Sequence, residues 1–423
     1  MARRWRWFCG WEHGGLRRLG SPEAVPQQGT TEADTWDAPT DIAFDLTAVR
    51  TGKYAWKSAG GGLGTPADTT GDVEARAQQW LYACGGFALR SFNIPANLSV
   101  GDAYAIARVS KKFNTGANKY LAICIQITNL TGPKFKFRVA RMNSDGMLDA
   151  LLGTQGSTEF GLGTTFRWVV LEMDTTNNNY RLLVDGSEEI GSTAYKPVLN
   201  NVDEEPYMMH DDRLVSDGKA VEAGLRVSYD DFGTCDDSAQ SPPGTTTEVE
   251  LYQPNGVVQD AWPSAKYCDV DDENDADLPD TDDVDTNKIT PTVVNQQQTF
   301  TFPDNAGGTI EAVRIVYGGE TTIDGKEHDI LAITDGVSLT KYSGPQKGGG
   351  DGYWWGKNLS LTPEGDAWTT GLFNQLEAGL EAGDLDSVGE FYIMVIGTSL
   401  TRPSATASGA CAAVGRRRLA QVI

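Results

Sequence analysis

LAICIQI at residues 121–127 and KFKFRV at residues 134–139 decide the fold class of this chain. In both runs every second side chain is apolar, and in the second run the intervening positions are all lysine or arginine. Strict alternation predicts an antiparallel β-strand with one face in a core and the other toward water. Such strands are stable only when a second layer covers their apolar face, so the pattern favours a sandwich or barrel.

Strand patterns recur along the whole chain, at residues 180–184, 225–229, 299–302, 310–317, 328–333 and 391–397. Turn residues such as Asp185-Gly186 separate these runs. One segment differs, because residues 369–383 place Leu372, Phe373 and Leu376, with Leu380, on one helical face. We therefore predict an all-β protein with one short helix.

The length of 423 residues predicts two domains. Residues 236–247, DDSAQSPPGTTT, lack periodicity and carry paired prolines, so they are interpreted as a linker. This linker would separate a first β-sandwich at 1–235 from a second β-sandwich-like domain at 248–400. Residues 401–423 show no strand pattern and are predicted to be a tail, either mobile or partner-binding.

The composition excludes several classes of protein. A formal net charge of −23 would repel a phosphate backbone, so nucleic acid is not an expected partner. No apolar run reaches the roughly 18 residues of a membrane span, and no apolar segment follows the N-terminal arginines as in a signal peptide. The six cysteines form no CxxC pair, which predicts buried free thiols rather than a zinc site; a disulfide is the alternative.

Four segments carry a resemblance to a known superfamily: GWEHG at 10–14, VRTGKYAWK at 49–57, FRWVVLEMDTTNNNYRLLVDGSEEI at 166–190 and YDDFG at 229–233. Their order resembles the concanavalin A-like jelly roll, in the laminin-G-like form found in bacteriophage structural proteins. The second half, from VELYQPNGVVQDAWP at 249–263 through TFTFP, IEAVRIVY and DAWTTGLFNQLEAGL, resembles a β-rich domain of tailed-phage virion proteins.

The resemblance implies a non-enzymatic virion structural protein, either a capsid decoration or a tail appendage, with a surface-adhesive role as an extension. It would be assembled in the host cytoplasm and would contact other virion proteins, copies of itself and host-surface glycans. A carbohydrate-binding module or adhesin is the alternative. A glycoside hydrolase is least expected, because the string from Glu172 through Asp174 ends in Asn177, where the hydrolase pattern has a second acid that can transfer a proton.

Three groups of residues are candidate sites. Asp230 and Asp231, at what would be the rim of the sandwich, could bind sugar hydroxyls or a metal, or form a turn held by backbone hydrogen bonds. An aromatic cluster in a glycine-rich loop could stack on sugars or lie in the core; it consists of Tyr353, Trp354 and Trp355. No cofactor is required, but alternating acids could hold calcium or form a solvated loop; they are Asp269, Asp271, Glu273, Asp275 and Asp277.

Overall fold

The computed structural model describes residues 3–9, 42–45, 49–51, 55–58, 80–92, 99–110, 120–142, 148–154, 156–174, 176–177, 179–194, 225–237, 239–262, 289–319, 328–343 and 353–401. The all-β prediction is confirmed. The strands are β1 (Arg4–Cys9), β2 (Ile42–Asp45), β3 (Ala55–Ser58), β4 (Trp80–Phe92), β5 (Ala103–Ser110), β6 (Tyr120–Asn129), β7 (Lys134–Met142), β8 (Leu148–Leu152), β9 (Phe160–Gly161), β10 (Arg167–Asp174), β11 (Asn179–Val184), β12 (Ser187–Ala194), β13 (Leu225–Asp237), β14 (Thr247–Tyr252), β15 (Gly256–Asp260), β16 (Gln297–Thr301), β17 (Thr309–Gly319), β18 (Asp329–Ile333), β19 (Thr340–Tyr342), β20 (Tyr353–Leu359), β21 (Glu377–Glu381) and β22 (Val388–Thr398), with one helix, α1 (Thr370–Phe373).

The chain divides into a first unit, Met1–Glu250, and a second unit, Leu251–Ile423. The first unit contains an eight-stranded sheet of order β12-β11-β10-β4-β13-β3-β2, in which β1 also pairs with β13. Its other sheet has five strands, β5-β6-β7-β8, with β9 paired to β7. The second unit contains a four-stranded sheet, β14-β22-β17-β20, and a five-stranded sheet, β15-β16-β21-β18-β19. The boundary between the units falls within β14.

The alternation in β6 and β7 sets which side chains enter the core of the first unit. The two strands pair in register, so that Ile125 lies opposite Phe137 and Cys124 lies opposite Arg138. Phe137 contacts Phe87 of the eight-stranded sheet, with ring centroids 6.5 Å apart. The apolar positions therefore face the other sheet, and the intervening positions lie on the outer face of the five-stranded sheet.

The turn between β11 and β12 follows from its sequence. Asp185 and Gly186 have φ values of 49° and 78°, both in the left-handed region that aspartate and glycine tolerate best. A two-residue turn of this kind fits the twist of the flanking strands.

The core of the second unit joins its two sheets through Phe300 and Phe391, whose ring centroids are 5.2 Å apart. The predicted helix at 369–383 is shorter than expected, since only Thr370–Phe373 are helical. Leu380 instead lies in β21, which pairs with β16 on one side and β18 on the other. Pairing with two strands satisfies the backbone groups of β21 on both edges, which overrides the local helical pattern.

The predicted linker also differs from the structure. Its first two residues complete β13 and its last residue begins β14. Between them, Ser241 N donates to Tyr82 Oη at 2.8 Å, and the carbonyl of Pro243 accepts from Trp168 Nε1 at 3.2 Å. Proline-rich composition marks the absence of regular structure, but it does not exclude ordered contacts with a sheet. The predicted tail beyond residue 401 lies outside the described residues.

Candidate functional site

Asp230 and Asp231 lie within β13 rather than at a rim. They occupy an irregularity in the pairing of β13 with β4, where the register shifts between Asp230 and Gly233, and Asp231 has a φ of 53°. Both residues are fully buried. The carboxylate of Asp230 accepts from the backbone N–H groups of Arg50 and Thr51, at 2.8 and 3.2 Å.

Asp231 is the centre of a hydrogen-bond network formed by the chain itself. Its carboxylate accepts from Thr51 Oγ1 at 2.6 Å and from Val249 N at 2.7 Å, and it forms an ion pair with Arg50. Arg50 also donates to the carbonyls of Thr245 and Thr247, at 2.6 and 2.7 Å. Burial raises the pKa of Asp231, while the charge of Arg50 acts in the opposite direction.

This network explains why two of the motifs quoted above, VRTG and YDDFG, occur together. They meet in space and hold the backbone of β13 to the start of β14. The guanidinium of Arg50 also stacks over Trp168, 4.5 Å from the ring centroid. Each oxygen of the two carboxylates accepts from at least one donor of this chain.

The incomplete hydrolase string lies on the same face of the eight-stranded sheet. Glu172 is 2% exposed and forms an ion pair with Arg181, whose Nε and Nη2 lie 2.7 Å from its two carboxylate oxygens. Gln240 Nε2 donates to Glu172 at 3.1 Å. Asp174 accepts from the backbone N–H of Thr176 at 3.0 Å, as in an Asx turn. Both carboxylates are thus engaged by the chain.

The aromatic cluster does not form the predicted loop. Tyr353, Trp354 and Trp355 are the first residues of β20 and pair through their backbones with Gly319, Gly318 and Tyr317 of β17. Sequence reasoning missed this strand because the glycines before it suggested a turn.

The predicted calcium-binding acids, Asp269 to Asp277, lie outside the described residues. Among the residues that the structure describes, no group of three or more histidine, cysteine or acidic side chains could hold a metal ion. No helix in the described ranges is long and apolar enough to cross a membrane.

A basic row that was not predicted as a site lies on the outer face of the five-stranded sheet in the first unit. It consists of Lys134, Lys136 and Arg138, at alternate positions of β7. The Lys134 side chain is 53% exposed, Lys136 is half-buried and Arg138 is buried, so the row runs from solvent into the protein. Successive positions are roughly 7 Å apart, because a strand rises about 3.4 Å per residue.

The polar groups around the basic row are mostly uncharged. Gln126 lies opposite Lys136 in β6, and its Oε1 accepts from Arg138 Nη1 at 2.8 Å. Lys134 forms an exposed ion pair with Glu159 at 3.5 Å. Within the described part of the chain, Lys136 and Arg138 form no ion pair. The signal for this surface was already visible in KFKFRV, which sequence reasoning used only to define a strand.

No family model and no curated protein matches this chain. One similar solved structure is a mutant of the alginate lyase Aly36B in complex with an alginate tetrasaccharide; it is 13% identical, with a TM-score of 0.32 over 51% of this chain and 96% of that one. The cellulose-induced protein Cip1 is 13% identical, with a TM-score of 0.28; the match covers 54% of this chain and 95% of Cip1. An endo-β-1,4-glucuronan lyase from the fungus Trichoderma reesei is 12% identical, with a TM-score of 0.28; the match covers 52% of this chain and 96% of the lyase.

The prediction of a bacteriophage virion structural protein is contradicted by these comparisons. The named structures are two polysaccharide lyases and a cellulose-induced protein, and nothing in the comparisons connects this chain with a bacteriophage. The described parts of the motifs behind the virion prediction are strands and turns, and a fold does not determine a function.

Proposed function

We propose that this chain is a non-catalytic binding protein for an acidic polysaccharide, which binds at the exposed end of the basic row of β7 in the first unit, at Lys134 and Lys136. The observation that carries the proposal is the basic row of β7 in a chain of net charge −23. A strongly negative surface repels a polyanion, so binding requires a local region of opposite charge. Exposed Lys134 and half-buried Lys136 supply that region, and Glu159 is the one acidic side chain of the described residues that pairs with either lysine.

The neighbouring amide is already engaged by the chain. Gln126 Nε2 donates to the carbonyl of Gly101 at 2.8 Å and its Oε1 accepts from Arg138 at 2.8 Å, so the two lysines are the groups that would contact the polymer. Alginate and glucuronan, the polymers in the names of the similar lyases, are acidic polysaccharides of the proposed class. The proposal rests on the side chains of β7 and does not depend on that similarity.

A non-catalytic role is supported by the state of the two carboxylates in the hydrolase-like string. Glu172 is buried and paired in two contacts with Arg181, and Asp174 is held by backbone N–H groups. Neither group is placed to exchange a proton with a polymer on the outer face of the other sheet.

Binding should be measured by affinity electrophoresis or calorimetry with a polyuronate and with a neutral β-glucan. We expect binding to the polyuronate only, weakening as salt rises, because the contacts are between exposed charges. The double variant Lys134→Gln/Lys136→Gln should reduce affinity at least tenfold. Arg167→Gln is the matched control, since it removes an exposed cation that lies outside the row and pairs with Asp185.

Two results would refute the proposal. Unchanged affinity of the double variant would remove the basic row from the binding surface. Equal affinity for the neutral glucan would show that charge is not recognised. Release of shortened, ultraviolet-absorbing chains from the polyuronate would separately contradict the non-catalytic role.

A further inference from the structure

Arg138 is a buried cation without a counter-ion among the residues that the structure describes. It is 6% exposed, and its charge meets two neutral acceptors, Gln126 Oε1 at 2.8 Å and the carbonyl of Gly153 at 3.0 Å. The Nε–H group of Arg138 is buried and has no hydrogen-bond partner. A guanidinium stays protonated in proteins, so Arg138 cannot remove this cost by losing its charge.

Among the described residues, no carboxylate forms an ion pair with Arg138. Cys124 of the neighbouring strand β6 lies directly opposite Arg138. Burial raises the pKa of its thiol to about 12, although Arg138 acts to lower it. Cys124 is therefore a neutral thiol at neutral pH. Other described residues beside Cys124 form a cluster of small buried side chains, Ala105, Ala122 and Ala140, with Leu151 packed against it.

We infer that a small monovalent anion, either a halide or a small carboxylate, binds beside Arg138 Nε on the outer face of the five-stranded sheet. Three features carry this inference: the unpaired Nε–H of Arg138, its charge without a carboxylate partner among the described residues, and the small, uncharged buried side chains around it. Removal from water strengthens the attraction between an anion and the guanidinium. Burial of Nε excludes a polymer from this position, so the inference is independent of polysaccharide binding along the exposed lysines.

The test is the anion dependence of the full chain. Thermal unfolding is followed at constant ionic strength while gluconate is replaced by chloride or, in a second series, by formate. An anion that binds only the folded state raises the melting temperature with a saturable concentration dependence. We expect such a rise with at least one of the two anions, and we expect Arg138→Met to abolish it. Arg181→Met is the control and should keep the rise, because Arg181 is paired with Glu172.

A second measurement keeps the inference testable if Arg138→Met fails to fold. The arginine Nε–Hε resonances of the wild-type chain are recorded during the same titrations, and that of Arg138 is assigned by its absence in Arg138→Lys. A saturable shift of this resonance supports the site. A melting temperature and a resonance that respond to neither anion would overturn the inference, as would an equal response in Arg138→Met. Response to chloride alone or to formate alone identifies which kind of anion the site takes.

Discussion

Arg50→Met should destabilise the first unit more than any surface substitution, because it leaves the carboxylate of Asp231 buried without its cation. The Asp231 side chain is 0% exposed and that of Arg50 is 13% exposed, so water cannot replace the lost partner. Removal of one member of a buried pair typically costs about 3–5 kcal/mol. The variant also loses two hydrogen bonds to carbonyl groups, from Arg50 to Thr245 and Thr247. We expect a loss near the upper end of that range.

The pH dependence of Arg50→Met gives the destabilisation a distinct signature. Without the arginine, the pKa of Asp231 rises further above its unfolded value of about 3.9. The folded variant then binds a proton that the unfolded chain has already released. Its stability should therefore increase as the pH falls from neutral toward about 4, and the difference from the wild type should shrink.

Urea unfolding followed by far-ultraviolet circular dichroism measures the loss, and hydrogen exchange of peptides from residues 225–252 locates it. The double variant Arg50→Met/Asp231→Asn serves as the internal comparison, because it removes both charges. It should be more stable than Arg50→Met alone. A loss below about 1 kcal/mol, or a double variant as unstable as the single one, would refute this reasoning.

Three further predictions follow from single buried positions. Burial raises the pKa of Asp236 to about 6, although Arg4 acts to lower it. Between about pH 4 and 6 the folded chain therefore binds more protons than the unfolded chain, and the free energy of unfolding falls as the pH rises. Asp236→Asn should make the free energy of unfolding, measured in urea titrations, less dependent on pH in this range. Gly379→Ala should lower the free energy of unfolding by about 3 kcal/mol or more, because its Cβ would lie 1.9 Å from a backbone carbonyl oxygen of β16. Gly371→Ala is the control in the same unfolding assay and should be tolerated, since its Cβ would lie 3.9 Å from its nearest neighbour. The thiol of Cys124, fully buried with its pKa raised to about 12, should not react with a thiol reagent in the native chain and should react in urea; rapid native labelling would show that this face opens.

The sequence pattern of β7 predicted its structure most directly. Its alternation predicted a half-buried strand, and the structure places Phe135 and Phe137 in the core and Arg138 on the opposite face. Cys84, Cys124 and Cys235 are buried free thiols, as the absence of a CxxC pair predicted. The short strands and the Asp185-Gly186 turn could also be predicted from the sequence, because each depends on neighbours within a few residues.

Contacts between residues distant in sequence were decided only by the tertiary structure. Asp231 looked like a rim residue because nothing near it in the chain shows that Arg50, which lies 181 positions away, neutralises it. Leu380 carried a helical pattern, but the edges of β16 and β18 made it part of a strand. The lack of an ion pair at Arg138 among the described residues could not be predicted either, since a charge alternating along a strand is normally solvated. Local side-chain periodicity is encoded residue by residue, whereas burial and charge pairing depend on which strands the fold brings together.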